Sequence, residues 1–473
     1  MGKNGRTLKN IISVSLSNCT TILSGIVVGF LIPKILSIYG YGMYKTFTLY
    51  TTYIGFFSLG IIDGIVLDYG GYNYEQLNQE KFRSFFKWYL AVHLLGFFAL
   101  IVASVFVADS EIKFIILSLG LDMIAVNITG YYQQISQFTQ RFREYSIRKI
   151  LQSLSNVLVV LCLFAIYRHG NTVGYHVYVV SIVFVNCALT LWYVFTYRQI
   201  TFGKSLAMQE TKAELVHLIK IGFPLLFANL CATLILTLDR QFVNVFFDTT
   251  TYAVYAFAYN MLSLVTVATS AIALVLYPTL KRTTRESMTE KYPQLVGIIL
   301  LSVFAANMLY FPLSWFVQWF LPKYESSLHI FRIIFPGLSI SSAITVVMHN
   351  YYKVLGENLL YFFKSIIVLI ISAVANWIAY IFFHTTESIS IASVITMIIW
   401  YLIIEEYFVK NIQYSRWKNF LYLLVMMVTF YIVTTFTTWW IGLIVYILLF
   451  MVITILFYHE ILTIVIKAVL KKI

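Results

Sequence analysis

The sequence predicts an all-α integral membrane protein of about fourteen transmembrane helices, and three observations lead there. Hydrophobic residues make up 60% of the 473, charged residues only 11%, and mean hydropathy is +0.82, which leaves too few polar groups to coat a water-soluble globule. Apolar runs of about 18 to 25 residues recur from end to end, each long enough as a helix to cross a hydrocarbon core of about 30 Å. Basic residues collect in alternate connections, as they do when those connections face the cytoplasm.

The runs lie near 11–33, 42–63, 86–107, 113–135, 150–167, 175–197, 218–239, 252–277, 294–316, 328–350, 361–383, 389–409, 419–438 and 440–462. An even number puts both termini on one side. With the N terminus cytoplasmic, 26 of the 33 Lys and Arg residues fall in inner segments, from Lys3, Arg6 and Lys9 to Lys467, Lys471 and Lys472. The remainder are Lys34, Lys45, Lys113, Arg168, Arg240, Lys323 and Arg332. Removing one span would scramble the bias in every later loop. The net charge of +13 is therefore read as topology, with no nucleic-acid partner, because no basic domain stands outside the membrane. The basic opening MGKNGRTLKN precedes an apolar run as in a signal peptide, but the run is too long and lacks a small-x-small cleavage site, so it reads as a retained span. Arg6 stands where a myristoylation pattern needs Ser or Thr.

Taken in order, the spans differ in how wet one face is. Ser13, Ser17, Thr20 and Ser24 line up in the first. In the second, Lys45, Thr48, Thr52, Gly55 and Asp63 are expected on one stripe, since Lys45 and Asp63 lie about five helical turns, or roughly 27 Å, apart. The fourth has Ser118, Asp122, Thr129 and Gln133. Stripes return with Asn229, Thr233, Thr237, Arg240 and Asn244 in the seventh, and with Tyr252, Tyr255, Tyr259, Ser263, Thr266 and Ser270 in the eighth. Ser342, Thr345, His349 and Lys353 follow in the tenth. Spans one, two and four thus resemble seven, eight and ten, which implies two six-span repeats. Asn18 and Asn229, Tyr41 and Tyr252, and Tyr44 and Tyr255 are each 211 residues apart. The expected organisation is an N-lobe over 1–200, a cytoplasmic linker over 201–217, a C-lobe over 218–410 and two additional spans over 411–473.

Catalytic chemistry finds no foothold. Cys19, Cys162, Cys187 and Cys231 lie inside apolar runs without Cys-x-x-Cys spacing and read as packing residues. The eight histidines are scattered, no phosphate-binding glycine loop or nucleophile elbow appears, and every predicted loop is too short to hold a soluble catalytic domain. Hydroxyls in spans commonly hold helices together. Charges differ, because an ionised residue at a helix centre costs about 2.5–3.5 kcal/mol even on lenient scales and so faces a partner or a water-filled cavity.

The stretch LSIYGYGMYKTFTLY running into FFSLGIIDGIVLDYG resembles the first loop and second span of the polysaccharide and oligosaccharide flippases of the multidrug/oligosaccharidyl-lipid/polysaccharide (MOP) exporter superfamily. IKIGFPLLFANLCATLILTLDRQFV, followed by TYAVYAFAYNMLSLV and LVLYPTL, resembles the same family at the start of its second lobe. The resemblance spans nearly the whole chain. It implies two pseudo-symmetric six-helix lobes around a central cavity, two C-terminal helices added, a bacterial cytoplasmic membrane and cytoplasmic termini. The implied cargo is a polyprenyl-pyrophosphate-linked oligosaccharide destined for capsule, O-antigen or exopolysaccharide, moved by alternating access between leaflets. A glycan polymerase and glycosyltransferases of the same pathway are the implied partners, beside membrane lipids.

Such a cargo asks for cations to meet phosphate, and for hydroxyls, amides and tyrosines to meet sugar. The phosphate candidates are Lys45, Arg240 and Arg332; Asn229, Thr48, Thr52, Tyr255 and Tyr259 are candidates for sugar or cavity wall. Lys45 and Arg240 lie near span ends, so snorkelling to water stands as the competing reading. Asp239 and Arg240 are helix neighbours that point about 100° apart and need not pair. No nucleotide-binding motif is present, so no cofactor is expected beyond a coupling ion, H⁺ or Na⁺, with Asp122 foremost and Asp63 and Asp239 next. The alternatives are a cation-coupled multidrug exporter of the same superfamily, usually of twelve spans, a membrane glycan polymerase or ligase, and an ion-driven solute transporter on another fold.

Overall fold

The computed structural model describes residues 3–281, 284–412, 414–436 and 438–470. A helix or a broken helix stands at each of the fourteen expected positions. Among the described residues, eleven helices are long and apolar enough to span a membrane, and two bent pairs bring the number to thirteen. The remaining position holds a helix of 33 residues, Thr249–Lys281. The chain divides into two compact units, residues 1–233 and 234–473.

The first unit contains α1 (Lys3–Ile35), α2 (Ile38–Thr51), a short 3-10 turn (Ile54–Ser58), α3 (Ile61–Tyr69), α4 (Gln79–Val105), α5 (Ser110–Phe138), α6 (Phe142–Arg168), α7 (Tyr175–Thr196), α8 (Arg198–Thr201) and most of α9 (Met208–Phe246). Side-chain caps set several starts: Asn78 accepts from the Lys81 amide at 3.1 Å, and Asp109 from the Glu111 amide at 2.8 Å. Because of its cap, α4 begins seven residues before the apolar run, and its basic first turns reach the segment after α7. Lys81 pairs with Glu214 at 2.8 Å, Arg83 donates to the carbonyls of Gln199 and Lys204, and Lys87 donates to the Ser205 hydroxyl. Much of the expected linker is thus tied to α4.

The core of this unit is built from tyrosines. Tyr132 stacks on Tyr193 and Tyr197 with centroids 6.1 and 5.4 Å apart. Two of these buried hydroxyls are satisfied, Tyr132 by Thr201 and Tyr197 by Ser136, each at 2.7 Å. Arg148, expected in an inner loop, is buried in α6 with its guanidinium 4.5 Å from the Tyr193 ring.

The second unit takes the end of α9, then α10 (Thr249–Lys281), α11 (Arg285–Ala306), α12 (Tyr310–Phe320), α13 (Ser327–Ile334), α14 (Gly337–Ser342), a π-helical turn (Ala343–Met348), α15 (His349–Leu355), α16 (Asn358–Phe383), α17 (Thr386–Ile412), α18 (Trp417–Phe436) and α19 (Trp439–Leu470). The tenth span bends by 44° between α13 and α14, where Pro336 and Gly337 interrupt it.

The repeat suggested by the sequence has a structural counterpart. α1 ends at Ile35 and α9 at Phe246; α2 starts at Ile38 and α10 at Thr249; both offsets equal the 211 residues read from the tyrosines. The caps obey the same offset. Ser37 accepts from the Gly40 amide at 3.0 Å, while Asp248 accepts from the amides of Thr250 and Thr251 at 2.9 and 3.0 Å. The hydroxyls of Thr250 and Thr251, helped by those amides, hold the Asp248 carboxyl well below the usual range.

Contrary to the packing expectation, Cys19 and Cys162 are exposed on helix faces and only Cys231 is buried.

Candidate functional site

The second span departs most from expectation. α2 stops at Thr51, and α3 leaves at 56° to the α2 segment. Leu59 and Gly60 between them are left-handed, at φ 51° and 79°. Lys45 and Asp63 therefore do not share one helical face, which corrects the five-turn stripe. Thr48 and Thr52 turn their hydroxyls onto the carbonyls of Lys45 and Leu49 at 3.0 and 2.6 Å. Asp63 instead lies in the first turn of α3, where unpaired amides favour a carboxylate. Lys45 is half-buried with its Nζ 5.3 and 5.4 Å from the rings of Tyr41 and Tyr44.

What holds the break is a glycine contact. A Cβ on Gly222 of α9 would sit 2.0 Å from the Gly60 carbonyl oxygen, and one on Gly64 would sit 2.2 Å from that of Leu218. Backbone meets backbone there. Asn127 of α5 adds an amide donated to the freed Ile54 carbonyl at 2.9 Å. These residues escaped the sequence reading, although Gly60 and Gly64 have the G-x-x-x-G spacing of close helix crossings.

Asp122 is 2% exposed and closes a chain across three helices: Gln152 of α6 donates to the Asn186 amide oxygen at 3.0 Å, and Asn186 of α7 donates to Asp122 at 2.8 Å. Asn229 is exposed on α9.

Four of the candidates come together in the second unit. Asp239 is 3% exposed, and its Oδ2 accepts from the hydroxyls of Tyr255, at 2.9 Å, and Tyr259. The backbone amide of Arg240 donates to Oδ1 at 2.7 Å. Arg240 turns away from the carboxylate: its guanidinium lies 4.6 Å from the Tyr259 ring and donates to the Leu236 carbonyl at 2.9 Å. Tyr255, a candidate for sugar or wall, has no exposed surface, and its hydroxyl is engaged by Asp239. Arg332 is half-buried on α13, away from this cluster in the chain, and lines cavities with α17 and α18.

A further buried acid was missed. Glu405 of α17 accepts from Tyr401 at 2.9 Å and from Tyr414, and its other oxygen is buried. Glu406 beside it pairs outward with Lys410 at 2.6 Å. The acidic pair inside an apolar run was the available signal.

Residues 7–284, more than half of the chain, match the profile of a family described as polysaccharide biosynthesis protein. No curated protein matches the chain. Among solved structures, the Lipid II flippase MurJ in an inward closed conformation is similar over 96% of this chain and 100% of its own, with 14% identity and a TM-score of 0.69. An outward-facing multidrug resistance MATE family transporter of the MOP superfamily is similar over 86% and 96%, with 12% identity and a TM-score of 0.54. A MOP superfamily transporter from Pyrococcus furiosus is similar over 89% and 96%, with 14% identity and a TM-score of 0.53. At these identities the likeness is one of fold. With its helices at the expected places, its start repeated 211 residues on and its residues 7–284 matched to one family, the chain belongs to the polysaccharide biosynthesis protein family.

Proposed function

We propose that the protein flips a polyprenyl-pyrophosphate-linked oligosaccharide from the inner to the outer leaflet of a bacterial cytoplasmic membrane, by alternating access and with ion coupling, with both termini cytoplasmic. The observation that carries the proposal is the likeness to a lipid II flippase along 96% of the chain with a TM-score of 0.69, set beside 86–90% and 0.54–0.55 for the multidrug transporters. Full-length coverage suits a fourteen-span flippase better than a twelve-span exporter. Membership in a polysaccharide biosynthesis family points to a glycan cargo.

In this reading Lys45 and Arg240 each offer a cation to phosphate. Lys45→Ala is expected to slow export of the lipid-linked glycan several-fold while leaving membrane insertion intact. The check is depletion of the native protein, complementation with the variant, and extraction of lipid intermediates. Full export by Lys45→Ala would leave Lys45 a snorkelling residue. Unchanged lipid intermediates on depletion, with altered drug sensitivity, would replace the flippase by the multidrug exporter.

The coupling carboxylate is proposed among Asp122, Asp63 and Asp239. Asp122→Asn keeps the shape and the Asn186 contact while removing the charge. Reduced flux of Asp122→Asn in vesicles under an imposed H⁺ or Na⁺ gradient is the expected result; wild-type flux under every gradient would remove Asp122 from the coupling role.

A further inference from the structure

Arg332 sits where two cavities of the C-terminal unit meet. The first, about 500 Å³, lies between α13, α17 and α18 and is walled mainly by Ile391, Val394, Ile395, Met427 and Val428. The second, about 450 Å³, is polar and includes Gln318, Glu325, His329 and Trp439. Arg332 lines both. Each volume is within the usual range of ligand clefts, about 300–1,000 Å³.

Three features narrow the occupant. First, among the described residues no carboxylate lies within ion-pair distance of the Arg332 guanidinium, and Glu325 in the same polar cavity is instead held by Gln318 at 3.1 Å. A guanidinium at a membrane boundary without an acid is matched by a phosphate, which it can grip bidentately. Second, Ile391, Ile395 and Val428 on the groove are about half exposed on an apolar helix surface, so the groove opens to bilayer hydrocarbon. Third, the Trp439 indole lies beside Trp315 with centroids 5.6 Å apart, and amphipathic indoles favour headgroup depth. By chain alternation this is the membrane face opposite the termini.

We propose that this is a site for an anionic glycerophospholipid of that leaflet, its phosphate on Arg332 and one acyl chain in the α13–α17–α18 groove. Charge and apolar path are arranged in the order that a phospholipid presents them, and the open groove makes the bilayer its reservoir. This goes beyond the flippase reading and takes Arg332 out of the cargo path. It stands if flipping of the proposed cargo is disproved.

The test is native mass spectrometry of the full-length protein in mild detergent, with added phosphatidylglycerol, phosphatidylcholine or undecaprenyl phosphate. Wild type is expected to retain phosphatidylglycerol in preference to phosphatidylcholine, and Arg332→Gln to lose that retention about tenfold or more, the scale of one charge-assisted hydrogen bond. Val428→Trp, which fills the groove mouth and keeps the charge, is expected to lower retention as well; it decides the matter if Arg332→Gln does not fold. Equal retention of phosphatidylglycerol by wild type and the folded variants would overturn the site. Displacement of phosphatidylglycerol by equimolar undecaprenyl phosphate would overturn the assignment to a bilayer lipid and return the groove to the carrier.

Discussion

Asp239→Ala is expected to destabilise the C-terminal unit by about 2 kcal/mol or more and to abolish export. The carboxylate is the acceptor for two buried tyrosine hydroxyls, Tyr255 and Tyr259, and for the Arg240 amide. Alanine would take the carboxylate acceptor from both hydroxyls, and a fully desolvated group left unpaired costs about 1–3 kcal/mol. Helix contacts in bilayers average less, about 0.6 kcal/mol, because the unfolded chain also finds partners, so the lower end of the sum is taken. A fall in the melting temperature of the purified protein is the first check. Asp239→Asn separates packing from charge, since the amide oxygen still accepts one hydroxyl. Its expected phenotype is a folded protein whose flux no longer responds to an imposed ion gradient. If Asp239→Asn folds and responds as wild type does, the carboxylate serves architecture alone; if Asp239→Ala melts with wild type, the tyrosine network does not hold the unit together.

The part of the fold that is legible in the sequence is the part governed by one-dimensional physics. Span positions follow from the length of apolar runs against bilayer thickness, and all fourteen could be placed for that reason. The repeat was also visible, through Tyr41 and Tyr252 and through Tyr44 and Tyr255, and it extends to the caps Ser37 and Asp248, which do the same job with different side chains. Helix ends were less legible. The first turns of α4 are charged and read as loop, yet Asn78 caps them and Glu214, from far along the chain, pairs with Lys81.

The candidate site was legible as a set of residues and illegible as a set of pairs. Asp239, Tyr255 and Tyr259 were all singled out, but their distribution between ion and sugar roles missed that the tyrosines donate to the aspartate. Which faces of adjoining helices meet depends on rotation and crossing angle, and neither is encoded in the period of one span. The same ignorance hid Asn186 from Asp122, 64 residues apart. The stripe from Lys45 to Asp63 failed for a related reason. A periodicity argument presumes a straight helix, and the break at Leu59 and Gly60 is imposed from outside by the backbone of α9.

That contact carries the second large effect. Gly222→Ala is expected to cost about 1–3 kcal/mol, the usual range for overpacking, because the new Cβ would lie 2.0 Å from the Gly60 carbonyl oxygen and 2.5 Å from the Gly64 amide nitrogen. Neither neighbour is a flexible side chain that could swing aside. Relief requires α3 to move from α9 or the Gly60 turn to reshape, and Gly60 is already left-handed at φ 79°. Gly130→Ala in α5 is the matched control: nothing lies within 4 Å of its Cβ position, so the helix is expected to gain about 0.5–1 kcal/mol from the lost backbone freedom of glycine. Melting temperatures of the two purified variants should therefore shift in opposite directions. Export should fall with Gly222→Ala, because Asp63 rides on the first turn of α3 and moves with it. A Gly222→Ala protein that melts at or above wild type would mean that the α3–α9 crossing opens at little cost, and the broken second span would then be a mobile joint instead of a pinned one.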